Sequence, residues 1–126
     1  MMIPLLWLVA CSGGKDSNSP DETPATLTEI QTDIFSKSCA FSSCHGDGGN
    51  SGLLKLDPEL SYAQLVNAAA SEAGKIRVVP GDPDGSYLVE RLEHPDTAEV
   101  MPPGQPLDAA KLERIRSWIV DGAQDN

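Results

Sequence analysis

Aromatic residues and cations are both scarce in this sequence. Aromatic side chains make up 5% of the 126 residues, and nine Lys and Arg stand against 19 Asp and Glu, a formal net charge of −10. A chain of this size with few aromatics has only a modest apolar core. So acidic a chain argues against nucleic acid as a partner, because phosphate binding needs a basic face. A basic protein partner fits the charge better.

The apolar run at the start of the chain is too short to span a membrane. Residues 1–10 are uncharged and mostly apolar, whereas a membrane-spanning helix needs about 20 such residues. The run is typical of the hydrophobic part of an export signal, and the sequence LVAC that ends at Cys11 resembles a bacterial lipobox. We therefore expect residues 1–10 to be a lipoprotein signal peptide and Cys11 to be lipidated. The alternative is a buried N-terminal strand with a core Cys.

The segment after Cys11 is polar and rich in Ser, Pro and Gly. This composition predicts a flexible tether over residues 11–26, followed by one domain over 27–126. Ser12, in the place where Asp would favour inner-membrane retention, indicates the periplasmic face of the outer membrane. That compartment is oxidising, so the remaining thiols, Cys39 and Cys44, need a use there.

Capping signals and apolar spacing predict a mainly α domain of about four short helices joined by long loops. The helices are expected to begin after the capping box of Thr26 and Glu29, at Pro58, at Ser86 and after the N-cap Asp108. The second should run to about Asn67 and bury Leu60 and Leu65, and the last should end at Gly122. Loops this long are uncommon in a compact domain unless something organises them, and a cofactor is one such organiser.

Two of the three cysteines and one of the two histidines fall in the sequence CAFSSCH, residues 39–45. A c-type haem needs two thiols for thioethers and an imidazole directly after the second thiol, usually spaced C-x-x-C-H. Here the cysteines are two residues further apart, and the small polar Ser42 and Ser43 would allow the extra pair to bulge outward. A structural disulfide between Cys39 and Cys44 is one alternative. A zinc site, with a fourth ligand from His94 or a carboxylate, is another.

A sixth iron ligand, commonly Met or His, is the second requirement of a haem electron carrier. Once the signal is removed, Met101 is the one methionine left, in a loop stiffened by Pro102 and Pro103. It would otherwise be an ordinary filler of an apolar gap. His94 is the competing ligand, and its alternative role is that of a solvated histidine at a helix end.

Five segments in order resemble the small c-type cytochrome domains of bacterial exported lipoproteins. They are the first helix, CAFSSCHG, GLLKLDPELSYAQLVN, RVVPGDPDGSYLVERL and MPPGQPLDAAKLERIRSWIVDGA. The resemblance extends over roughly residues 27–124. The resemblance implies a cytochrome c-like fold around one haem c, with crossing N- and C-terminal helices. It also implies covalent attachment at Cys39 and Cys44 and axial ligation by His45 and Met101. The two-residue insertion between the cysteines departs from the family pattern.

The implied function is one-electron transfer to a redox partner with a basic patch, without enzymatic chemistry. Candidate walls of the haem pocket and helix crossing are apolar residues of the first and last helices: Leu27, Ile30, Leu112, Ile115, Trp118 and Ile119. Two rival functions remain. One is a haem-free periplasmic lipoprotein with a Cys39–Cys44 disulfide and a binding or scaffold role, and the other is a peroxidase-like enzyme with an open distal side.

Overall fold

The computed structural model of the chain describes residues 24–46, 48–49, 51–96 and 99–126. The predicted signal peptide, Cys11 and nearly all of the predicted tether lie outside the described residues.

The described part is mainly helical. Its elements are α1 (Leu27–Ile30), a π-helical stretch (Gln31–Phe35), α2 (Ser36–Ser38), a 3₁₀ turn (Ser51–Leu53), α3 (Ser61–Leu65), α4 (Tyr87–Leu92) and α5 (Ala109–Val120). Pairing between extended segments is limited, in these residues, to three isolated bridges.

The first helical segment is continuous over residues 27–38 and begins as predicted. The side chain of Thr26 accepts from the backbone N–H of Glu29, and the Glu29 side chain accepts from the N–H of Thr26. The start of the segment is joined to the end of the chain, since Asn126 accepts from the N–H of Leu27 through Oδ1 (2.9 Å) and from the N–H of Thr28 through its carbonyl (2.8 Å). These bonds hold α1 against the segment that follows α5.

The second predicted helix is shorter than expected. A turn comes first, in which the Asp57 carbonyl accepts from the N–H groups of Leu60 and Ser61 (2.9 Å each), and α3 starts only at Ser61. The helix then ends because Val66 turns extended and forms a parallel bridge with Val78. Leu65 is fully buried as predicted, but the expectation that Leu60 is buried is wrong, since its side chain is 40% exposed.

The last helix follows its sequence signals closely. Asp108 caps it by accepting from the N–H of Lys111 (2.9 Å), and Gly122, at φ 104°, follows its C-cap. Ile115, Trp118 and Ile119 are buried and pack with the apolar side of the first helical segment in one core. This core holds the first and last helical segments together.

Candidate functional site

A cavity of about 430 Å³ lies among the CAFSSCH motif, the 3₁₀ turn, α4 and the proline-rich loop. Its volume falls in the range of roughly 300–1,000 Å³ that is usual for cofactor and ligand sites. Much of the wall is apolar: Phe35, Leu54, Leu56, Leu92, Leu107 and Ile115. Polar side chains also line it: Ser51, Ser71, Arg77, Tyr87 and Arg91.

Four predicted site residues share this cavity. Cys39, Cys44, His45 and Met101 all contribute to its lining, although Met101 lies 56 residues after His45. Their side chains supply two thiols, an imidazole and a thioether. The fold therefore brings these four predicted residues together in the lining of one cavity.

The span between the two cysteines is a compact turn. The Phe35 carbonyl, at the end of the π-helical stretch, accepts from the N–H groups of Cys39 (2.9 Å) and Ala40 (2.8 Å). The Phe41 carbonyl accepts from the N–H groups of Cys44 (2.9 Å) and Gly46 (3.1 Å). These bonds close the turn and return the chain to the cavity.

The two extra residues of this span face outward. Ser42 and Ser43 are exposed, and Phe41 before them is also exposed although it borders the cavity. The longer spacing therefore leaves both cysteines at the cavity wall.

Two glycines allow the chain after His45 to approach this turn closely. A Cβ on Gly46 would lie 2.3 Å from the Ala40 carbonyl oxygen, and one on Gly49 would lie 2.6 Å from the Ser42 carbonyl oxygen. Real Cβ atoms do not approach backbone so closely. The glycines of this run thus have a steric function at both positions.

The two thiols differ in environment. Both are free and partly buried. Burial raises the pKa of the Cys39 thiol to about 11, and the neighbouring Cys44 contributes in the same direction. Cys39 is therefore protonated at neutral pH.

The imidazole of His45 has a fixed orientation. Its Nδ1 lies 3.0 Å from the carbonyl oxygen of Leu54. Because a carbonyl only accepts, Nδ1 carries a proton in this contact, and in the neutral ring Nε2 is the nitrogen with the lone pair. The backbone holds this arrangement, since the N–H of Leu56 donates to the His45 carbonyl (2.6 Å) and the Leu56 carbonyl accepts from Gln31 Nε2 (2.8 Å). A ring hydrogen bond of this kind is typical of histidines that bind a metal through the other nitrogen.

Met101 and His94 have different surroundings. Met101 is partly buried against the core, and its N–H donates to the Arg91 carbonyl of α4 (2.9 Å). His94 is absent from the cavity lining: its Nδ1 accepts from the N–H of Asp96 (3.1 Å), and its Nε2 lies 3.6 Å from a Glu99 carboxylate oxygen. Of the two candidate ligands, only Met101 reaches the cavity.

The six apolar residues expected at the haem pocket and the helix crossing divide between the cavity and the core. Of the six apolar residues proposed from the first and last helices, Ile115 lines the cavity. The other five face the core instead, because the apolar sides of these two helices pack on each other. Leu54 and Arg77 were not predicted as site residues, and the signal for Arg77 was a lone cation within the otherwise apolar extended sequence IRVVP.

Comparison with known proteins identifies the family. The pattern of the Planctomycete cytochrome C family matches residues 42–105, just over half of the chain. The chain therefore belongs to this family, which makes it a cytochrome c-like protein and implies a c-type haem. The match contains Cys44, His45 and Met101 but begins after Cys39. No curated protein and no solved structure matches the chain.

Among the residues that the structure describes, no helix has the length and apolarity needed to cross a bilayer.

Proposed function

We propose that this chain is a one-electron carrier that holds a covalently attached haem c and is anchored by lipid to a bacterial membrane. One observation carries the proposal: two thiols, an imidazole with a free Nε2 and a thioether converge on one mostly apolar cavity. This donor set is the one that c-type haem attachment uses. When bound, haem supplies a one-electron couple at its iron.

The cysteines act as covalent anchors in this proposal. Each thiol adds its S–H across a vinyl group, so that a carbon–sulfur bond forms, the hydrogen moves to the neighbouring carbon and no atom leaves. Both Cys39 and Cys44 lie at the cavity wall despite the longer spacing, so each has access to the same occupant. Covalent attachment keeps the cofactor in an exported protein, where a released one would be lost.

The ligands set the type of chemistry. His45 binds iron through Nε2, and the Leu54 carbonyl holds its ring in place. Met101 would supply the second iron ligand, and methionine in that role gives a higher potential than a second histidine does. With His45 and Met101 both bound to iron, the site would leave no iron position for a substrate. We therefore infer an electron carrier and not an enzyme.

The location of the protein and the charge of its redox partner are inferred from the sequence. Lipidation of Cys11 anchors the chain, and Ser12 favours the periplasmic face of the outer membrane. The formal net charge of −10 favours a redox partner with a basic patch. Association with that partner should weaken as salt is raised, because screening shortens the range of the attraction.

Mass spectrometry of denatured protein tests the attachment. The protein is matured in a periplasm that contains the haem-attachment machinery, and its mass is compared with those of the C39A, C44A and C39A/C44A variants. We expect a gain of one complete haem that survives denaturation in the wild type and is absent from the double variant. A wild-type mass lower by two hydrogens, with no visible absorption band, identifies a disulfide and overturns the haem proposal in favour of the haem-free lipoprotein.

A further inference from the structure

Three consecutive backbone carbonyls, those of residues 52–54, bind two side chains of the site. The carbonyls of Gly52 and Leu53 accept from Nη2 of Arg77, at 3.3 and 3.2 Å. The next carbonyl, that of Leu54, accepts from Nδ1 of His45 at 3.0 Å. Arg77 therefore binds the two residues that directly precede Leu54, whose carbonyl orients the proposed iron ligand His45.

This segment has an unfavourable backbone conformation. Leu53 has a φ of 60°, in the left-handed region where the Cβ of a non-glycine residue is crowded. Its side chain is 69% exposed, so packing of that side chain does not hold the conformation in place. Backbone contacts must do so, and among the described residues they include the Leu54 N–H to the Ser51 carbonyl (3.2 Å), the Ser51 N–H to the Cys44 carbonyl (3.0 Å) and the two bonds from Arg77.

Arg77 is itself fixed from the other side. Its Nη1 donates to the backbone carbonyl of Gln64 in α3 (2.8 Å) and approaches the Gln64 side-chain oxygen (3.4 Å). The same Gln64 oxygen accepts from the N–H of Lys55 (3.4 Å). The planar guanidinium thus connects α3 to the 52–55 segment, a connection that requires several donors in a rigid fork.

We propose that Arg77 is a positioning residue for His45. By holding the carbonyls of Gly52 and Leu53, it keeps the left-handed turn in the conformation that directs the Leu54 carbonyl to Nδ1. The inference rests on the proposed function, because its consequence is felt at the axial ligand. A hydrogen bond at Nδ1 makes Nε2 a stronger donor, and a stronger donor favours ferric over ferrous iron and lowers the reduction potential.

The R77K variant separates this role from a simple effect of charge. Lysine keeps the positive charge but lacks the fork that reaches α3 and both carbonyls together. We expect the reduction potential of haem-loaded R77K to shift upward, because the bond at Nδ1 weakens. We also expect faster hydrogen–deuterium exchange at the N–H of Leu54. R114K is the matched control, since Arg114 lies away from the cavity and pairs with Asp33 (3.1 Å); neither readout should change.

Two results would overturn the proposal. The first is an R77K potential equal to or below that of the wild type, as expected if Arg77 supplies charge alone. The second is unchanged exchange at Leu54. If the purified protein carries no haem, the proposed function fails separately, and the NMR tautomer of the His45 ring decides on Arg77. In that case R77K must lose the preference for the Nδ1–H form that wild type and R114K show, and an unaltered preference refutes the positioning role.

Discussion

Replacing Gly46 by Ala should damage the turn that presents the two cysteines and His45. The new Cβ would lie 2.3 Å from the Ala40 carbonyl oxygen and 2.7 Å from its carbon. Ordinary contact begins at 3.4 Å, so the two backbone segments must separate by about 1 Å, an overpacking that typically costs about 1–3 kcal/mol.

Hydrogen bonds add to that cost. A displacement of this size weakens the bonds from the N–H of Ala40 to the Phe35 carbonyl (2.8 Å) and from the N–H of Gly46 to the Phe41 carbonyl (3.1 Å). Each such bond contributes about 0.5–1.5 kcal/mol net. We therefore expect G46A to lower the free energy of unfolding by about 2–4 kcal/mol, a large share of the roughly 5–15 kcal/mol that a domain has.

A second glycine offers a matched control. A Cβ on Gly85 would also lie 2.3 Å from its nearest neighbour, but that atom is a carboxylate oxygen of Asp82, the end of a flexible side chain. The side chain can rotate away at the cost of its bond from the N–H of Gly85 (3.0 Å), or about 1 kcal/mol.

The assays are urea unfolding of both variants and the ratio of haem absorbance to protein. G46A should lose stability and haem, whereas G85A should keep its haem. Equal losses of stability in the two variants, or full haem content in G46A, would refute the steric account of the motif.

Three further predictions follow from single features of the structure. Met101→Ala should lower the reduction potential and alter the reduced spectrum, because methionine ligation raises the potential, while His94→Ala should change neither. An M101A spectrum identical to that of the wild type would instead favour a peroxidase-like site with an open distal side. Leu53→Asn should raise the free energy of unfolding by up to about 1 kcal/mol in urea titrations, since Asn tolerates the left-handed region better. Leu60→Asn, at a residue with φ −113°, should give no gain, and equal effects at the two sites would contradict the strain at Leu53. Arg116→Met should remove about 0.5–1 kcal/mol at pH 7 in the same assay, a figure reduced for solvent screening, because Arg116 binds both carboxylate oxygens of Glu93 (2.6 and 2.7 Å). That bond lowers the pKa of Glu93 from its ordinary 4.5. Its contribution to stability is therefore complete above pH 4.5 and is lost as the pH falls through the lower pKa that Glu93 has in the folded protein. A difference in stability between variant and wild type that persists at pH 2 would contradict this assignment.

Local signals predicted the ends of the first and last helices. The Thr26–Glu29 capping box, the Asp108 cap and the Gly122 stop all depend on atoms within a few residues of one another. The second helix was predicted too long because its end is set from a distance, by the bridge between Val66 and Val78. Tertiary contacts override intrinsic preference in such cases.

The donor residues of the site could be found from the sequence, but their supports could not. Cys39, Cys44, His45 and Met101 belong to residue types with distinctive chemistry, so few candidates had to be compared. The carbonyl that orients His45 depends on the left-handed conformation of Leu53, and leucine gives no signal of that conformation. The contribution of Arg77 depends on a partner in α3 and on a turn 24 residues earlier, a relation that only the folded chain reveals.

The longer spacing of the cysteines is compatible with the proposed site because the extra residues turn outward and the ring of His45 and the backbone of Met101 are held by other segments. The Phe41 carbonyl closes the extra residues into an outward turn by accepting from Cys44 and Gly46. The ring of His45 is oriented by the Leu54 carbonyl, and the N–H of Met101 donates to the Arg91 carbonyl of α4. The backbone of His45 is joined to the span between the thiols, because its N–H donates to the Cys39 carbonyl (3.2 Å). A longer loop between anchors costs little more entropy than a short one. What the site requires is that both sulfurs reach the same wall, and the close approach at Gly46 is the feature on which that arrangement depends.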